Sequence, residues 1–190
     1  FDGAWVGDSL LASPRPDAIT TLAAVAARTK RINLGTSILI AALRHPVSQA
    51  YSLATLDLIS KGRLILGLGF ASSSPTHKLE SSSIGVPNEQ RFAHAAEGIE
   101  IMRALWSQDD VTYHGKHYAL EGVTLLPKPV QRPGPELWVH GKGSDVALRR
   151  VARLGDGWMA NMISADQFAV DWQKIRGFAR DGGRDAQALT

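Results

Sequence analysis

Short apolar runs alternate along the chain with longer stretches in which apolar residues recur every three or four positions, the pattern of strands interleaved with amphipathic helices. The first run is Ala4-Trp5-Val6-Gly7; Ser13-Pro14-Arg15-Pro16 follows, then an Ala-rich helical pattern to about Arg28. Pro16 suits a first helical turn, and Asp17 beside it complements the positive helix end. Residues 32–40 are β-branched and apolar, as in a strand buried on both faces. Pro46 opens a second helix with Val47, Leu53, Leu56 and Ile59 on one face, and Gly62 follows it as a C-cap residue would. Residues 63–68 read as a third strand.

The Ser-rich residues 70–87 carry neither period and are expected to form a loop. Helical spacing returns with Phe92, Ala95, Ala96, Ile99, Met102 and Trp106. Val111-Thr112-Tyr113 and His117-Tyr118-Ala119 flank Gly115 like a small hairpin, and four prolines come after it. Leu137-Trp138-Val139-His140 is a fourth strand, residues 144–154 a helix, residues 157–160 a fifth strand, and residues 164–180 a last helix. Ser164 and Gln167 make a capping box at its start, and Phe168, Trp172 and Ile175 mark its inner face.

Strands and helices joined by short connections imply parallel strands with right-handed crossovers, hence a doubly wound sheet or a (β/α)8 TIM barrel. A length of 190 residues favours the open sheet, since barrels run to about 250. The ends favour the barrel: the chain opens on Phe1 inside one strand and stops at Thr190 where another should begin. Composition describes one ordinary globular domain over residues 1–190, with 44% hydrophobic and 21% charged residues and no cysteine. The excess of 21 Lys and Arg over 18 Asp and Glu never forms a basic run, so no nucleic-acid partner is expected. No apolar stretch approaches the roughly 18 residues of a membrane span, and a cytoplasmic location is expected.

In either architecture chemistry belongs at the carboxyl ends of strands. That rule selects Gly7-Asp8-Ser9, Ser37-Ile38 with Arg44-His45, Gly69-Phe70, His140-Gly141-Lys142-Gly143 and Ala160-Asn161. Gly67-x-Gly69 matches the start of a dinucleotide fingerprint, but Ser72 takes the third glycine's place; a nicotinamide dehydrogenase would need a helix immediately after Gly69. In His140-Gly141-Lys142-Gly143-Ser144, glycines lead from a strand into a helix, so backbone amides, the helix end and Lys142 could hold an anion. The same residues could form an ordinary turn with Ser144 as N-cap, and Asp145 could itself complement the helix end. His114-Gly115-Lys116-His117 lacks the partners of a metal ligand set and reads as solvated hairpin. His45 reads as a turn residue, Asp8 as a ligand acceptor or a turn cap, and the Ala23, Ala24, Ala26, Ala27 face as a close helix contact within the fold or across a dimer.

The chain resembles the bacterial luciferase-like monooxygenase family. The likeness rests on residues 1–8 (FDGAWVGD), 29–36 (TKRINLGT), Arg44-His45-Pro46, 54–63 (ATLDLISKGR), 126–131 (LPKPVQ) and 152–158 (ARLGDGW), in that order. It implies a (β/α)8 barrel, here strands two to six with the first, seventh and eighth absent, that binds FMN or coenzyme F-420 at its strand ends. It also implies a small organic substrate and a homodimer. Relatives often have a non-proline cis peptide at the end of the third strand, which is Ser37-Ile38 by position. Ser followed by a β-branched residue there is more like the F-420-using members. The resemblance puts the cofactor phosphate at Gly141-Lys142-Gly143 and Asn161 near it; Asp8, Gly69 and His140, selected by the strand-end rule, complete the expected cofactor site.

The departures are chemical. Many members have an acid followed by His where this chain has Asp8-Ser9, and luciferase has a cysteine where Gly69 stands. Some deazaflavin enzymes use a carboxylate in the following loop, for which Glu80 is the candidate. Asp8, Ser9 and Glu80 are therefore the candidates for proton transfer, and a non-catalytic flavin-binding or scaffold barrel is the alternative to an oxidoreductase.

Overall fold

The computed structural model describes residues 1–11, 13–70 and 74–190; Ser72 lies outside them. In chain order the elements are β1 (Gly3–Val6), α1 (Ala18–Arg28), β2 (Asn33–Ile40), α2 (Pro46–Ser60), β3 (Leu64–Gly69), α3 (Pro75–Ser83), α4 (Arg91–Ser107), β4 (Val111–His114), β5 (Ala119–Val123), β6 (Glu136–His140), α5 (Asp145–Leu154), β7 (Gly157–Met159) and α6 (Ala165–Asp181). Five strands form a parallel sheet in the order β1-β2-β3-β6-β7, while β4 and β5 pair as a separate antiparallel hairpin.

Spatial order thus follows chain order. A doubly wound sheet reverses its order at a switch point, and none occurs among the described residues; a barrel wall has this sequence of strands. The helices form a continuous layer in which α1 packs on α2, α2 on α4, α4 on α5 and α5 on α6.

Strand periodicity separates the two faces of the sheet. Leu34, Leu64, Leu66, Leu68, Leu137 and Val139 are fully buried under the helices, and register puts Leu34 beside Leu64, Leu66 beside Leu137 and Leu68 beside Val139. The opposite face is built from glycines with large side chains laid across them. A Cβ on Gly35 would stand 2.2 Å from the Trp5 ring, and one on Gly157 2.5 Å from the Trp138 ring. The Trp5 and Trp138 rings are 5.7 Å apart.

Several expectations need correction. The Ser-rich segment is not loop throughout: Ser74 caps α3 by accepting from the His77 amide, and Pro75 occupies the first turn. The Ser82 and Ser83 hydroxyls bond the Leu79 and Glu80 carbonyls inside the helix, so polar residues satisfied locally gave no amphipathic signal. Asp17 is the N-cap of α1 and Pro16 lies outside it. Lys61 at φ 59° caps α2, and Gly62 follows at φ 76°. Phe168 is 42% exposed; Ile175 and Asp171 occupy the buried side of α6, while Phe168 stacks on Trp158 at 4.9 Å.

Candidate active site

A cleft of about 640 Å³ opens at the carboxyl ends of β1, β2, β3 and β6. Its wall includes Asp8, Ser9, Ser37, Ile38, His140 and Lys142 from the sequence reading. Among the described residues Asp8 is the sole acidic one on the wall, and it is paired with Arg44. Arg44 donates to both of its oxygens at 2.7 and 2.9 Å, and the Ile40 amide adds a third bond at 3.1 Å. The hydrogen bond to Asp8 raises the Arg44 pKa further above its ordinary value against the opposing effect of burial, with Asp17 contributing at 2.6 Å. Asp8 therefore ties the β1 end to the β2 end, with little acceptor capacity left for a ligand.

Ser9 and Glu80 meet, but not as free acid–base groups. The buried Glu80 accepts on Oε1 from Ser9 Oγ at 2.9 Å and from the Leu10 and Leu11 amides at 2.7 Å each. Ser9 Oγ in turn accepts from the Ser13 amide. This set fastens the segment after β1 to α3, and Glu80 itself is absent from the cleft wall. His77, which sequence reasoning missed, does reach the wall. Its Nδ1 lies 2.7 Å from Ser74 Oγ, also on the wall, and its Nε2 lies 3.8 Å from Glu80 Oε2. The Ser-Pro helix start and the His77/Glu80 spacing of three were the available signals.

The Ser37-Ile38 peptide is cis, as the resemblance implies. Gly69 stands behind Ile38: a Cβ there would fall 1.7 Å from Ile38 Cδ1, so the glycine admits that side chain and is not on the cleft wall. His140 Nδ1 lies 3.1 Å from the Met159 carbonyl, which can only accept, so this bond requires the proton on Nδ1 and leaves Nε2 turned away from it. Gly141 packs under α5, where a Cβ would approach the Ala147 carbonyl to 3.1 Å. Gly143, at φ 81°, has open space around it, and Ser144 caps α5. Asp145 is engaged by Lys174 at 3.0 Å. Asn161 is exposed and outside the described cleft wall.

Away from the cleft, His114 pairs with Glu121 at 3.3 Å and His117 stacks on His94 at 4.0 Å, so both serve the hairpin and its packing. Phe70 and α3 answer the dehydrogenase alternative: the helix starts at Pro75, not directly after Gly69.

A family model described as luciferase-like monooxygenase matches residues 1–190. The chain belongs to that family. It is 32% identical to an F420-dependent glucose-6-phosphate dehydrogenase of Amycolatopsis mediterranei, over 98% of this chain and 56% of the relative. A second relative of that name, from Kineococcus radiotolerans, is 34% identical over 84% of this chain and 48% of its own length. Among solved structures, a monooxygenase from Streptomyces bottropensis matches with a TM-score of 0.84 at 32% identity, over 97% of this chain and 56% of that one. The coenzyme F420 dependent tetrahydromethanopterin reductase of Methanopyrus kandleri shares the fold, with a TM-score of 0.79 at 23% identity over 100% of this chain and 56% of that one. The chain thus spans about half the length of the relatives it matches.

Proposed function

We propose that the protein is an oxidoreductase that holds coenzyme F-420 or FMN in the carboxyl-end cleft and acts on a small organic substrate. The observation that carries this reading is the charge of the cleft. Arg15, Lys142 and Arg150 line it, the Asp8 carboxylate on its wall is cancelled by Arg44, and the glycine turn at Gly141–Gly143 runs into the capped start of α5. Such a wall suits a phosphorylated ligand. The open space at Gly143 fits a phosphate beside backbone, and Ile38, held forward by Gly69, offers an apolar surface to a flat ring. Ser37, His140 and Lys142 are the other residues assigned to cofactor binding. Asp8 acts through Arg44 and the Ile40 amide in shaping the site, whereas Gly69 acts through Ile38.

When bound, F-420 supplies hydride chemistry and FMN supplies oxygen activation. Likeness at 32–34% identity to F420-dependent dehydrogenases favours F-420, and the similar monooxygenase keeps FMN as the second arm. The chain's own residues provide proton transfer. Ser74 Oγ at the wall relays a proton to or from His77 Nδ1, and the Glu80 carboxylate 3.8 Å behind Nε2 orients the ring.

Residues 1–190 form part of a single barrel domain in this reading. Exposed Tyr51, Leu58 and Ile59 on α2 supply the apolar face for a homodimer. Among the described residues no helix is long and apolar enough to cross a membrane.

Fluorescence titration with F-420 and FMN tests the reading, followed by turnover assays on alcohols, hexose phosphates and activated alkenes. Tight binding of one cofactor with turnover is expected. Binding of neither would overturn it, and binding without turnover on any substrate would leave the non-catalytic barrel.

A further inference from the structure

Arg150 is half-buried like Arg44, Arg63, Arg103 and Arg184, but its surroundings are unlike theirs. It lies on the face of α5 that carries Ala147, three residues earlier, and both line the cleft. Its guanidinium sits 4.8 Å from the centre of the Phe70 ring and 4.3 Å from that of Phe92. It forms no hydrogen bond or ion pair among the described residues, whereas Arg44, Arg63, Arg103 and Arg184 all do. Burial lowers its pKa from the ordinary value, and its charged neighbours Arg153 and Arg91 act in the same direction. A guanidinium that is half desolvated, held between rings and surrounded by like charge lacks only an anion.

We propose that Arg150 is a second oxyanion seat in the cleft, separate from the Gly141–Gly143 turn, for a carboxylate or phosphate of the bound ligand. The seat lies six residues beyond the Ser144 cap, about 9 Å along a helix rising 1.5 Å per residue. Two molecules could bring such an anion. FMN ends at one phosphate, whereas F-420 continues through a phosphodiester into a chain of glutamyl carboxylates; an anionic substrate is the other source. Only the naming of the cofactor rests on the function proposed above. The seat itself rests on Arg150, its rings and its missing counter-charge.

The test compares the protein with Arg150→Met, which keeps an apolar stem over Phe70 and Phe92 and removes the charge. F-420 and FMN affinities are read by fluorescence, and KM and kcat for a hexose phosphate and a neutral alcohol are measured beside them. Loss of a charge-assisted bond predicts a weakening of about tenfold or more. Weaker F-420 binding with FMN affinity kept assigns the seat to the cofactor tail. Unchanged F-420 binding with a higher KM for the hexose phosphate alone, at unchanged kcat, assigns it to the substrate. Either outcome supports the seat, and partial rescue in Arg150→Lys follows from restored charge without the planar fork. Equal weakening of FMN and F-420 would place Arg150 in the phosphate turn, and no change in any of these constants would make it a packing residue; both overturn the proposal. If the native protein binds neither cofactor, the proposed function fails alone and inorganic pyrophosphate becomes the probe. A rise in melting temperature absent from Arg150→Met then supports the seat, and an equal rise in both overturns it.

Discussion

The two ends of the parallel sheet use similar polar residues differently. At the amino ends, charged side chains are closed off by hydrogen bonds within the protein. Arg63 donates to the Ile32, Ser60, Thr29 and Ala26 carbonyls, Asp57 accepts two bonds from Gln131, and Asp156 takes the Leu137 amide and Arg103. At the carboxyl ends, Asp8 is closed in this way, but Lys142, His140 and Arg150 face a cleft. A closed network stabilises and has nothing left to offer a ligand; an open one sacrifices some stability and can bind. The comparison thus separates residues whose loss unfolds the protein from those whose loss disables it.

The largest effect is expected at the amino end. Asp57→Ala leaves the Gln131 donors without their buried carboxylate and should lower unfolding free energy by about 4 kcal/mol, read as a fall in urea midpoint. His77→Gln should do the converse, lowering kcat by about a hundredfold while melting temperature and cofactor affinity stay near native. A comparable fall in stability without a fall in kcat would erase the distinction. Asp8→Asn is the informative exception, a closed pair at the open end. It should cost about 2 kcal/mol in stability by weakening the Arg44 clamp.

The smallest effect belongs to Asp17, whose carboxyl is 44% exposed. Burial would raise its pKa, but bonds from Thr20 and Arg44 outweigh it and hold the value below the ordinary one. The associated stability is present above about pH 4 and lost as pH falls through the lower folded value. Asp17→Asn keeps the cap and removes the charge, so it should cost under about 1 kcal/mol at pH 7 and less at pH 2. Thermal melts at the two pH values check this.

Much of this division could be read from the chain. Parallel strands 32–40, 63–68 and 137–140 announce themselves through predominantly apolar content, because one face lies under the helices and the other is at least partly covered. The strand-end rule also selected the stretches around Asp8, Ser37 and His140 that reach the cleft. What escaped depends on contacts between distant residues. Glu80 looked like a free acid because the amides that occupy it are about 70 residues away, and nothing in the local sequence around Arg150 singles it out. Its position between Phe70 and Phe92 comes from the packing of α5 against α4. The helix α3 escaped for a local reason, since its serines satisfy themselves inside the helix.

The glycine face of the sheet carries an implication for inheritance. Gly35 exists for the Trp5 ring, and Gly157 for the Trp138 ring, each across a strand boundary. Neither member can enlarge while its indole stays in place. A lineage that fills Gly35 must shrink or turn Trp5 in the same step, so such pairs should drift together as single units, with a deep fitness valley on either side of a lone change.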